Sequence, residues 1–318
     1  MGVTSKKLTR KFMCKQRVDV VHMERKCASL FLDSGAHALY TREVIAKHHV
    51  NGYNWFKTKA FKKYVDAYAK LIKDNIDGID YYANVDVIFE PDLSWKILKY
   101  MEEEHGLKPV PVIHYGTPLK WIDKHLEAGY EFLGIGGLGQ EVTKYVYLQW
   151  ADRVFDLLCS NPQRIPIART HGFAMTAYSL MLRYPWWSVD SASWAKVAGF
   201  GGIYVPHYRN GKFDFAEEPY QIAMSHRSKM TKIKGKHYRT LSEKERKIVD
   251  LWLVEIDVPF GKIDDATHTP IEFGVSSQYN ARAIACARFF QKLCQWLPEW
   301  PWAFHLRPKE GFVTTEGA

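Results

Sequence analysis

Short apolar runs alternate with amphipathic stretches along the chain from residue 28 onward. The apolar runs predict buried strands, and the stretches with apolar residues at helical spacing predict helices. The predicted strands are 28–33, 81–87, 110–115, 132–136, 165–170 and 187–191, and the predicted helices are 59–74, 92–105, 118–128, 144–159 and 175–182. Because strands that alternate with helices pair in parallel, this many successive units predicts an α/β fold of the (β/α)8 TIM-barrel type.

A doubly wound sheet is the competing architecture. The turn after the first predicted strand lacks G-x-G-x-x-G, and polar residues or glycines follow nearly every strand, at the ends that form a barrel's active-site mouth. The alternation stops near residue 199. Residues 199–214 predict a β-hairpin with its turn at Asn210–Gly211, and residues 277–296 predict a last amphipathic helix. Between them, a basic insertion is expected over about 226–247.

Composition favours one folded domain over residues 1–318, since 47% of the residues are hydrophobic. No apolar run approaches the roughly 18 residues of a membrane span, and no apolar core follows the basic N-terminus. We therefore expect a cytoplasmic protein. Five scattered cysteines without a C-x-x-C pair indicate reduced thiols. The 13 histidines include no H-x-H or H-E-x-x-H, so neither a metal site nor a cofactor is expected.

The formal net charge of +9 is concentrated in two segments. Residues 1–18 hold six cations and no acid, and residues 226–247 hold nine cations and two acids. Clustered positive charge is typical of proteins that contact a phosphate backbone. The alternative is a solvated, mobile loop together with an ordinary basic N-terminus. The candidate nucleic-acid-binding residues are Arg227, Lys229, Lys232, Lys234, Lys236 and Arg239.

Candidate chemistry lies at the ends of the predicted strands. Asp33 and Asp190 each close an apolar run, so we expect partly desolvated carboxylates there. Paired carboxylates suit reactions at a sugar anomeric carbon, where one attacks or stabilises positive charge and the other transfers protons. Asp86 is equally typical of a helix cap or turn. Glycines 136 and 137 would admit a flat ligand or form a tight turn, and His114 or His171 could be a hydrogen-bonded core residue.

Several of these segments resemble one family. D-S-G-A-H at 33–37 is similar to the D-S-G-G-aromatic-Gln signature of tRNA-guanine transglycosylases, I-G-G-L-G at 135–139 resembles their G-G-L loop, and Asp190 falls where their nucleophile ends a later strand. The resemblance is closer to phage-type DNA 7-deazaguanine transglycosylases. It rests on H-G-F at 171–173, R-Y-P at 183–185 and S-V-D-S-A-S-W at 188–194.

The resemblance implies a TIM-barrel enzyme, phage-encoded and acting in the host cytoplasm, that exchanges guanine in DNA for a 7-deazaguanine such as 7-cyano-7-deazaguanine. Asp190 would attack the anomeric carbon to form a covalent intermediate, and Asp33 would transfer the proton. The partners would be DNA and the free base. A paired guanine must be flipped out, or the substrate must be single-stranded, which suits a basic surface with exposed aromatic residues.

The resemblance also assigns the base-binding residues. Asp86 would bind the Watson–Crick edge of the purine, the backbone at Gly136 and Gly137 would face its carbonyl or 7-substituent, His114 would add a polar contact, and His37 would stack weakly. The full substrate-binding set is Ser34, His37, Asp86, His114, Gly136, Gly137, Leu138, His171 and Gly172.

The chain also departs from the tRNA enzymes. Ala36 replaces a glycine and Ala38 replaces a glutamine of their signature, and neither their C-x-C-x-x-C zinc motif nor their L-P-T-R run is present. These differences favour DNA over tRNA as the substrate. Two alternatives stay open: a guanine transglycosylase for tRNA or other RNA, and an inactive barrel that binds nucleic acid through the basic residues 227–247.

Overall fold

The protein is described by a computed structural model that covers residues 29–46, 52–136, 144–264, 266–267 and 269–301. Gly137, Leu138 and the basic N-terminal stretch lie outside the described residues. The chain divides into two compact units. The first is Met1–Phe173 with Trp186–Ser188, and the second is Ala174–Pro185 with Val189–Ala318. The single barrel domain stays a prediction.

Strands and helices alternate in the first unit. Its elements are β1 (Phe31–Leu32), α1 (Ala36–Tyr40) continued by a π-helix (Thr41–Ile45), a 3-10 helix (Gly52–Lys57), α2 (Lys59–Asp74), a 3-10 helix (Ile76–Gly78), β2 (Tyr81–Tyr82), α3 (Pro91–Glu103), β3 (Val112–His114), α4 (Lys120–Glu127), β4 (Phe132–Gly136), α5 (Lys144–Leu158) and β5 (Arg169–Gly172). Strand β6 (Ser188–Val189) begins in this unit.

The strands of the first unit pair in parallel and in chain order. β1 pairs with β2, and a parallel bridge joins Ala83, just after β2, to Val110, just before β3. The next sheet has the order β3-β4-β5-β6, with parallel registers from β3 to β5. The prediction of a mixed α/β fold with parallel sheets is confirmed.

Helix α2 has a capping residue and a buried apolar face, the two features by which a helix is predicted from sequence. The Thr58 side chain accepts a hydrogen bond from the Phe61 backbone N–H, which caps the first turn. The buried face continues through Val65, Tyr68 and Ile72 at helical spacing. The buried Tyr68 hydroxyl also contacts the carbonyl oxygens of Leu32 (3.2 Å) and Ala83 (3.0 Å), so the helix is tied to the ends of the first two strands.

The second unit combines short strands with helices around its own core. Its elements are α6 (Tyr178–Met181), α7 (Ser193–Gly199), β7 (Gly202–Val205), β8 (His207–Arg209), β9 (Lys212–Asp214), β10 (Tyr220–Ala223), 3-10 helices at Lys229–Lys232 and Tyr238–Thr240, α8 (Glu243–Glu255) and α9 (Tyr279–Trp296). β8 and β9 form a hairpin whose turn residues Asn210 and Gly211 both have positive φ, which confirms the predicted turn. β7 pairs antiparallel with β10.

The basic segment differs from the expected insertion over 226–247. Two 3-10 helices give it defined structure, and its last residues belong to α8. Ser242 and Glu245 form a capping box at the start of that helix, in which each side chain bonds the other residue's backbone N–H. The basic segment therefore consists of residues 226–240, and we use the name in that sense below.

Candidate functional site

Five of the predicted site residues follow the carboxyl ends of successive strands in the first unit. Asp33 comes directly after β1 and Asp86 follows β2, while His114, Gly136 and Gly172 are the last residues of β3, β4 and β5. The carboxyl ends of parallel strands meet at one edge of a sheet, which is the edge where α/β enzymes bind their ligands. This placement agrees with the predicted strand ends.

Asp86 and His114 form a buried polar pair. Asp86 is 4% exposed, the His114 side chain is 12% exposed, and an Asp86 carboxylate oxygen contacts His114 Nε2. In a neutral ring whose Nε2–H donates to this carboxylate, Nδ1 is an acceptor. His114 Nδ1 is buried, and no hydrogen-bond partner for it occurs within the described residues. The pair thus presents an acceptor that a ligand could satisfy.

Gly136 lies beside this imidazole ring in the sheet. It pairs with His114 across the parallel β3–β4 register. A Cβ at position 136 would lie 3.3 Å from His114 Nδ1, tighter than ordinary packing. A glycine here therefore keeps side-chain atoms away from the ring nitrogen that has no partner. Packing of the imidazole ring thus accounts for the glycine, and its contact with a ligand stays a prediction.

Helix α3 fixes the backbone that carries Asp86. The Asn84 amide donates to the Ser94 carbonyl oxygen (2.9 Å), and the Ser94 hydroxyl oxygen accepts from the Val87 backbone N–H (2.9 Å). All of these groups are buried. Asp86 is thus held between two residues that are bonded to the same helical turn.

Tyr64 is a neighbour of this site that sequence reasoning missed. Its hydroxyl donates to the Ser34 carbonyl oxygen at 2.6 Å, and Ser34 is fully buried. Burial raises the pKa of the Tyr64 hydroxyl, and the nearby carboxylates of Asp33 and Asp86 raise it further. The charges of both carboxylates therefore reach the same tyrosine hydroxyl. The tyrosine lies on a helix whose periodicity indicated only packing.

His171 lies among aromatic rings. It is 5% exposed, its Nδ1 is 2.8 Å from the Ser188 hydroxyl, and its ring stacks on Phe31 with a centroid distance of 4.4 Å. The Phe173 ring meets it edge-on at 4.6 Å. These contacts favour the alternative of a hydrogen-bonded core histidine over a substrate-binding one.

Asp33 and Asp190 are both exposed, so the expectation that their carboxylates would be partly desolvated is wrong. In the first unit, Asp33 accepts a 3.3 Å hydrogen bond from the Gly35 backbone N–H, as is typical of an aspartate that begins a turn. In the second unit, Asp190 accepts from the Ala174 backbone N–H at 2.8 Å. Each carboxylate is oriented by a backbone donor and reachable from solvent.

The other predicted residues are distributed over both units. His37 is exposed on α1, and Gly172 is buried in β5. In the second unit, all six predicted nucleic-acid-binding residues are exposed: Arg227, Lys229, Lys232, Lys234, Lys236 and Arg239. His237, which was not predicted, anchors this segment; it is 1% exposed, its Nε2 is 3.1 Å from the Ser225 carbonyl oxygen, and its Nδ1 accepts from the Arg239 backbone N–H. Burial lowers the pKa of His237.

A small surface depression also borders His114. Its walls come from the residues around the starts of α3 and α4, including Phe89, Ser94 and Trp121. No other predicted site residue lines it. We therefore base the candidate site on the strand ends and not on this depression.

The described residues contain neither a group of His, Cys, Asp and Glu side chains that could hold a metal ion nor a helix long and apolar enough to cross a bilayer. Comparison of the chain with family models, with curated proteins and with solved structures found no match.

Proposed function

We propose that this chain is a DNA-guanine transglycosylase built on a (β/α)8 barrel. The observation that carries the proposal is the order of the site residues. Asp33, Asp86, His114 and Gly136 follow consecutive parallel strands, and Asp190 directly follows β6, in the sequence that the transglycosylase motifs predict. The chain-order pairing supports a barrel, because a doubly wound sheet reverses its strand order at a switch point.

The Asp86–His114 pair is suited to bind a guanine-type base. Guanine and 7-deazaguanines both present an N1–H and a 2-amino group on one edge, and a carboxylate accepts hydrogen bonds from both. His114 orients the Asp86 carboxylate through the buried contact described above. Gly136 lets the imidazole ring pack directly against the backbone of β4. The site would recognise this edge equally in the departing and the incoming base.

Asp190 and Asp33 would perform the exchange. Asp190 attacks C1′ of the target nucleotide, a C1′–oxygen ester forms, and the C1′–N9 bond breaks with its electron pair leaving on guanine, which takes a proton from Asp33. Asp33 then removes the N9 proton of the incoming 7-deazaguanine, whose N9 displaces the carboxylate. An exposed nucleophile held by the Ala174 N–H is accessible to a nucleotide presented by DNA.

Exchange of radiolabelled guanine into DNA or tRNA tests this function. Wild type should label DNA, and Asp190→Asn should abolish labelling together with the protein–DNA adduct on denaturing gels. Asp257→Asn is the matched control, because this aspartate side chain is 97% exposed in the same unit. If only tRNA were labelled, the substrate would be RNA and not DNA. Undiminished labelling by Asp190→Asn would refute the assigned nucleophile.

A further inference from the structure

Phe200 is an aromatic side chain on the surface of the second unit. It is 83% exposed, the largest value among the bulky apolar side chains that the structure describes. It follows α7, and its backbone N–H donates to the Lys196 carbonyl oxygen at 2.9 Å, so its position is fixed by the end of a helix. The backbone is thus held while the ring is open to solvent, where it can stack on a flat partner.

The backbone next to Phe200 is joined to the start of the basic segment. The Gly201 carbonyl oxygen accepts from the backbone N–H groups of Met224 (2.7 Å) and Ser225 (3.0 Å). Gly201 has a φ of 90°, and a Cβ on it would lie 2.7 Å from the Ser225 Cβ and 3.6 Å from the Ser228 Cβ. Only glycine permits this approach, which brings Phe200 beside the residues that begin the basic segment.

The basic segment is held in a defined shape by hydrogen bonds. The Ser228 hydroxyl caps the first 3-10 helix by accepting from the Met230 N–H (3.2 Å), and the Lys236 carbonyl oxygen accepts from the Ala223 N–H (3.0 Å). Residues 226–240 contain six lysines and arginines, all exposed, and no acid. This charge composition selects a polyanionic partner over an apolar protein surface.

We propose that Phe200 and the basic segment form a binding site for unpaired nucleic acid, in which the Phe200 ring stacks on a base while the cations contact neighbouring phosphates. Aromatic rings next to positively charged grooves bind single strands in this way, with little dependence on sequence. The inference deepens the proposed function, since it assigns the group that would hold DNA from which a base has been unpaired.

Fluorescence anisotropy with a labelled single-stranded DNA, repeated over a salt series, tests this site. Phe200→Ala should weaken binding by about 5- to 150-fold at every salt concentration, with the slope of log K against log salt unchanged, because stacking releases no counterions. Phe200→Trp should bind like wild type, and Phe200→Leu should bind like Phe200→Ala. Lys232→Ala should instead lower the slope by about 0.7.

Val254→Ala is the matched control, because Val254 is 78% exposed on α8 of the same unit, and it should leave binding unchanged. Wild-type affinity in Phe200→Ala or Phe200→Leu would overturn the stacking site. Self-association in sedimentation runs that disappears in Phe200→Ala, without loss of DNA affinity, would identify a contact between copies instead. Base-exchange assays separate the stacking site from the transglycosylase function. If DNA binding depends on Phe200 but the wild-type protein exchanges no base, the stacking site is supported and the transglycosylase function is refuted.

Discussion

The buried pair of Asp86 and His114 makes a quantitative prediction. Asp86→Ala, His114→Ala and the double variant form a cycle that isolates the energy of their contact. In each single variant the remaining partner stays buried and loses its hydrogen bond. The double variant leaves neither group unpaired, so its loss of stability should be smaller than the sum of the two single losses.

The structure sets the size of this effect. Since Asp86 is 4% and the His114 side chain 12% exposed, water cannot easily replace the lost partner. A buried hydrogen bond to a charged group contributes about 1.5–3 kcal/mol, so the coupling energy should fall in that range. The pair of Asp66 and His105 in the same unit is a matched control. Its 3.0 Å contact joins more exposed side chains, 37% and 18%, and should couple by less than about 1 kcal/mol.

Urea denaturation of the four proteins in each cycle gives the coupling energies. Titration calorimetry with guanine gives the effect of each variant on the affinity for the base. Asp86→Ala should weaken guanine binding by about 100-fold, because two charge-assisted hydrogen bonds to the base edge are lost. Asp66→Ala should leave guanine binding unchanged. A coupling below about 0.5 kcal/mol would refute the paired geometry. Guanine affinity that is independent of Asp86 would refute its role in base recognition.

Two further predictions concern stability. Burial lowers the pKa values of His125 and His237, so the unfolded chain takes up protons that the folded chain does not. The contribution of these two groups to the free energy of unfolding should therefore be constant above a pH of about 6.5 and decrease below it, and His237→Gln should reduce this decrease in urea titrations at several pH values. Trp252 is fully buried, so Trp252→Ala should cost about 3–5 kcal/mol by denaturant midpoint, while the exposed Val254→Ala on the same helix should change stability by less than about 0.5 kcal/mol.

Elements with strong local signals could be predicted from the sequence. Helix α2 matches its predicted bounds, since apolar spacing and a capping threonine both indicate it, and β4 matches because its residues are buried without interruption. The hairpin turn at Asn210–Gly211 follows from two residues that accept positive φ. In each case the residues that determine the structure are adjacent along the chain.

Two elements of the second unit were missed for different reasons. The pairing of β10 with β7 brings Tyr220 opposite Val205, a non-local contact that no pattern within either strand reveals. The start of α8 did have a signal, since S-E-K-E at 242–245 matches the capping box. The run of positive charge instead favours a basic insertion over that stretch. Capping residues are therefore the better guide where a charged segment meets a helix.

In the candidate site, the sequence predicted where the residues lie along the chain but not how exposed their side chains are. The apolar runs predicted Asp33 and Asp190 at the ends of strands, and in the structure each directly follows a strand. Their exposure could not be inferred from the apolar runs before them, because burial of a carboxylate depends on the turn that follows. Each of these exposed side chains accepts a hydrogen bond from a backbone N–H of a nearby residue or loop. Exposed carboxylates remain hydrated in the free protein. A catalytic role for them therefore requires the bound DNA to exclude water from the site. Exchange on a free nucleoside should for this reason be far slower than exchange on DNA.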